Sequence, residues 1–204
     1  MKKSLLALIL AVAMVVPAFA AKGDKSINAK LGLGVNSNVT VSGDVGEMFA
    51  SDDIFMGLKN EMPFMLGAEF FYGLMDNLNI GAGFTYVFNS STKMDIIDGG
   101  KAEGGTTNIY IAVKPEAKIE SDIFTSVYLI GQIGLSMGRV EADGQSISLD
   151  NGIYLGAGFG TTIKDNFLVE LLFSSSNGSY SEHGRTMDFQ YSITALNIGY
   201  KFAL

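Results

Sequence analysis

The stretch SYSEHGR, residues 179–185, sets Ser181 and Glu182 beside His183, the only histidine of the chain. Serine, histidine and a carboxylate are the parts of an acyl-transfer site, in which the imidazole takes the hydroxyl proton and the acid orients the ring. Those parts normally converge from separate elements. Here they are sequence neighbours in a polar stretch, where side chains two residues apart need not meet, so they read as a solvated loop and no catalytic residue is assigned. Cysteine is absent, which removes thiol nucleophiles and disulfides. Asp52, Asp53, Asp95, Asp98, Asp143 and Asp150 are oxygen donors of the kind that hold a divalent cation. None has the spacing of a calcium-binding loop, so they read as solvated charge and no metal ligand is assigned. GAGFTY at 81–86 and GAGFGTT at 156–162 echo phosphate-cradling loops. A phosphate loop must open a helix, and both stretches sit inside extended, alternating runs, so no cofactor is expected.

A third set of charges has a different logic. Lys30, Glu69, Lys114, Glu116, Glu170 and Lys201 each stand on the less apolar side of an alternating run, three of each sign. Around Lys30, the residues Ile27, Ala29, Leu31, Leu33 and Val35 take one side, and Asn28, Lys30, Gly32 and Gly34 the other. Around Glu69, Phe64, Leu66, Ala68, Phe70 and Tyr72 oppose Met65, Gly67, Glu69 and Phe71. The same period of two recurs in 78–89, 107–118, 123–138, 152–163, 167–176 and 187–204, which makes eight strands, and no sustained helical period follows residue 20. Tight turns are expected at 75–77, 119–122 and 164–166, and long links at 42–61, 90–106, 139–151 and 177–186. Short and long links alternate, so they lie at opposite ends of an up-and-down meander.

Lys2 and Lys3, the apolar run LLALILAVAMVV and the small-residue phrase AFA at 18–20 have the order of a secretory signal peptide. Residues 1–20 are therefore excluded from the fold, and 21–204 form a single domain. Without the two leading lysines, 12 basic residues face 21 acidic ones, a net charge of −9. A nucleic-acid partner is disfavoured, because phosphate needs a basic surface. Much of the acidity belongs to the long links, with −4 in residues 42–61 alone.

Alternating strands also build soluble barrels, and the two cases differ in which face carries the bulk. Here the bulky face is almost free of charge, while the other mixes glycine, small polar groups and the six charges. An eight-stranded barrel has an interior just wide enough for side chains, so the glycine-rich face fits inside and the apolar face turns toward lipid. Closure also pairs the terminal strand, whose Leu196, Ile198, Tyr200, Phe202 and Leu204 share one apolar flank.

On the phrase EFFYGLMDNLNIGAGFTYVF at 69–88, the signal peptide and the aromatic-alternating C-terminus, the chain resembles the small eight-stranded outer-membrane β-barrels of Gram-negative bacteria, including the OmpA-barrel, OmpX and opacity types. The resemblance covers roughly residues 26–204. It implies an antiparallel transmembrane barrel with periplasmic termini and external long loops, and it implies that Leu196, Ile198, Tyr200, Phe202 and Leu204 serve as an assembly signal for the barrel-insertion machinery. The terminal residue of that signal is usually aromatic, and here Ala203 and Leu204 follow Phe202. Tryptophan is absent, leaving Tyr and Phe for the interfacial belts.

Two local conflicts are visible. Pro115 removes a ladder donor within a strand, which predicts a bulge or an irregular end. In 187–204 the apolar set changes phase, from Phe189, Tyr191 and Ile193 to Leu196, Ile198 and Tyr200. Either a bulge near Thr194 and Ala195 puts both sets outside, or the first set faces inward. The apolar residues Met48, Phe49, Ile54, Phe55, Met56 and Leu58 of the first long link read as rim packing or strand extension, the alternative being a lid or an adhesive patch. The expected function is a non-enzymatic structural or interaction protein of the cell surface, whose long acidic loops meet the environment, host molecules or lipopolysaccharide. A narrow porin or small-solute transporter and a rim-sited lipid A-modifying enzyme are the alternatives, since this scaffold hosts all three.

Overall fold

The computed structural model describes residues 23–43, 56–59, 62–88, 92–93, 101–119, 121–142, 145–182 and 185–204. Residues 1–20, expected to be a signal peptide, His183, the loop acids other than Asp150, and Met48, Phe49, Ile54 and Phe55 lie outside the described residues. Period-two sequence becomes strand throughout: β1 Lys25–Gly43, β2 Met56–Lys59, β3 Phe64–Met75, β4 Leu78–Phe88, β5 Thr92–Lys93, β6 Lys101–Lys118, β7 Phe124–Ala142, β8 Gln145–Ser148, β9 Gly152–Ile163, β10 Phe167–Glu182 and β11 Arg185–Ala203. Eight of these are long and form the wall. The short β2, β5 and β8 extend it by pairing with β1, β6 and β7.

All pairings are antiparallel. The wall runs β6-β4-β3-β1-β11-β10-β9-β7, and β7 returns to β6, so the sheet closes. β1 and β11 form the seam, from Ser26–Ala203 to Gly43–Met187. A membrane-crossing strand needs about 9–11 residues. β4 has 11, whereas β1, β7 and β11 have 19 each, so the wall extends past the bilayer at the long-link end. For this reason 177–186 is not the long link its composition suggests. β10 runs to Glu182 and β11 begins at Arg185, because a strand that has left the hydrocarbon no longer needs an apolar face. The links at 90–106 and 139–151 are shortened in the same way, by β6 from Lys101 and β7 to Ala142.

The sheet alternates between buried and exposed residues. Leu31, Phe84, Ile111, Leu129, Phe159, Phe173 and Ile198 are exposed, and the charges of the other face are turned inward. Size complementarity across the ladder makes the interior possible. Lys30 lies between Gly67 and Gly199, Tyr110 between Gly83 and Gly134, and Gly160 is opposite both Tyr128 and Glu170. A Cβ on Gly160 would come within 2.6 Å of the Tyr128 ring.

Both local conflicts have definite outcomes. At Pro115 the β6–β7 ladder lapses for two residues and resumes at Glu116–Tyr128 in unchanged register, so it is interrupted without a bulge. β11 stays in regular register with β10, and the register shift falls on the other side of the seam, between Gly34 and Asn36 of β1. Phe189, Tyr191 and Ile193 therefore share the inner face with Ala195 and Asn197. Ile193 packs with Met65, Val87 and Ala195, and Tyr191 lies against them.

Candidate functional site

The inward charges form two groups. In the first, the Lys30 ammonium lies 2.8 Å from Glu69 Oε2 and 2.9 Å from both Glu170 oxygens. These residues come from β1, β3 and β10, and all three are buried. Further donors complete the carboxylates: Tyr110 Oη (3.1 Å) and Gln132 Nε2 (2.9 Å) give to Glu69, while Tyr128 Oη (3.3 Å) and Asn197 Nδ2 (3.0 Å) give to Glu170. Tyr154 Oη donates to Gln132 Oε1 at 2.7 Å, and Thr85 meets Tyr110 Oη at 3.2 Å. The network spans the barrel from β1 to β6, β7 and β9. Buried ions of opposite sign need such satisfaction, since each unpaired charge at this depth costs several kcal/mol.

The second group lies toward the short turns. Lys114 Nζ is 3.3 Å from Glu116 Oε2, which also accepts from Asn79 Nδ2 at 2.9 Å, and Ser126 donates to Glu116 Oε1 at 2.5 Å. The same ammonium stands 4.8 Å from the ring centroids of both Phe71 and Tyr128, a geometry that favours cation–π attraction. Lys201 is the sixth charge of the set. It stays half-exposed, its backbone is tied to Asn166, and it forms no ion pair among the described residues.

The interior carries more bulk than glycine, small polar groups and ions alone. Phe71, Tyr110, Tyr128, Ile130, Tyr154, Leu168 and Leu172 pack into one buried cluster around the charges. Their place at inward register positions beside glycines was the available signal, and their apolar chemistry hid it. Above them, Met65, Val87, Ile193 and Ala195 form a second buried layer. Higher still, Leu149 sits against the bare backbones of Gly138 and Gly178. Between the salt bridge and the second layer, the space bordered by Lys30, Met65, Tyr110 and Gln132 amounts to about 10 Å³, room for one water at most.

The residues expected to form an assembly signal are on the outer face. Leu196, Ile198, Tyr200, Phe202 and Leu204 are all exposed, and Tyr200 stacks with Phe202 and, edge-on, with Phe167 of β10. A second aromatic group, Phe64, Tyr86 and Phe88, stands at the opposite end of β3 and β4. The two groups bracket the apolar band in the manner of interfacial belts. Of the loop acids, Asp150 is bridged to Ser179 by backbone pairing. Among the described residues, no group of three or more His, Cys, Asp or Glu is placed to hold a metal ion.

A closed eight-stranded barrel with its apolar belt outward and its ions inside is a transmembrane barrel of the Gram-negative outer-membrane type. Comparison with solved structures gives the same fold. The chain is similar to Neisserial surface protein A, at 13% identity with a TM-score of 0.53, covering 89% of this chain and 100% of that one. It is also similar to Ail, the attachment invasion locus protein of Yersinia pestis, in complex with the heparin analogue sucrose octasulfate. There the identity is 14% and the TM-score 0.51, again with 89% and 100% of the two chains covered. No family model and no curated protein matches the sequence.

Proposed function

We infer that this outer-membrane barrel is a sealed, non-enzymatic scaffold whose work is done at its surface and loops. The observation that carries this reading is the filled interior: ion cluster, aromatic packing and the Met65–Ile193 layer succeed one another along the axis, leaving about 10 Å³ beside Lys30. A porin needs a continuous wet path, and the packing of the described interior of so narrow a bore speaks for the sealed reading. The loop partner differs in charge from the polyanion bound to Ail. Residues 42–61 sum to −4, so a basic ligand, or an anionic glycan bridged by divalent cations, suits these loops. The outward flank from Leu196 to Leu204 serves the insertion machinery, and residues 1–20 serve export.

Planar-bilayer recording tests the seal. Wild type and Glu69→Gln are both expected to give no conductance steps; regular steps in wild type would establish a channel instead. Unchanged lipid A in cells carrying either wild type or His183→Ala is the expected result for a barrel without enzymatic activity.

A further inference from the structure

We draw no further inference here: the strongest candidate, the depression in the outer wall across β9, β10, β11 and β1 lined by Leu155, Phe173, Asn36, Asn38 and Ser192, carries nothing because nothing in the structure shows what covers it.

Discussion

Lys30 holds two carboxylates that have no other cation at comparable distance among the described residues, so neutralising it alone and neutralising all three groups have different consequences. Lys30→Met leaves Glu69 and Glu170 buried and uncompensated, and is expected to cost about 3–5 kcal/mol in urea unfolding from lipid vesicles. Adding Glu69→Gln and Glu170→Gln to that variant should restore most of the loss, because three neutral side chains of similar volume then fill the same space. The glycines opposite bulky groups make a second, steric prediction. Gly160→Val must displace the Tyr128 ring, and so weaken its bond to Glu170; a loss of about 1–3 kcal/mol is expected in the same assay. At this scale the sequence was legible for charge and poorly legible for packing. Alternation identified the inward side of Lys30, Glu69 and Glu170, but which of the six charges would meet depends on the registers of strands far apart in the chain. The inward tyrosines were missed because an aromatic residue on a strand looks equally suited to lipid.

The tight turn after β9 places two consecutive non-glycine residues at positive φ, Lys164 at 47° and Asp165 at 65°. This is the hairpin geometry that favours Asn-Gly, and each such residue carries local strain. Asp165→Gly is expected to stabilise the barrel by about 0.5–1 kcal/mol, read as a shift in the urea midpoint without a change in slope. Turns of this kind were readable, since KDN between two alternating runs leaves little else to infer. The long links were read less well. Ser174, Ser175, Ser176, Asn177 and Gly178 have loop composition, yet lie in β10, because ladder bonds to β11 hold them in the wall without calling on apolar side chains. The phase change in 187–204 was visible, but the strand that absorbs it was not. The register shift belongs to β1, between Gly34 and Asn36, far earlier in the chain than their partners Ala195 and Thr194, and only the seam pairing shows which strand yields.

For the molecule as a whole, the outward belt and the filled interior make membrane residence and closure a single property. The mature chain should show a faster unboiled band on a cold detergent gel and should precipitate when detergent is diluted away, because Leu129, Ile111, Ile198 and their neighbours would then face water. A soluble monomer under those conditions would mean that the belt had been read inside out. Fold class, strand count and the direction of both faces followed from period two combined with eight segments; the inward aromatic packing did not, since it depends on which glycines the closed register sets opposite each ring. The seam has a final consequence, concerning time. Its ladder joins Ser26 to Ala203 and Lys30 to Gly199, the first and last stretches of the cylinder, so no partial product can complete the circle. Until the final strand arrives, β1 keeps a bare margin, and the Lys30 ammonium lacks the Glu170 side of its cage. Hairpins such as β3–β4 and β9–β10 can form locally, but closure, and with it the loss of the last open edge, comes only with the final strand.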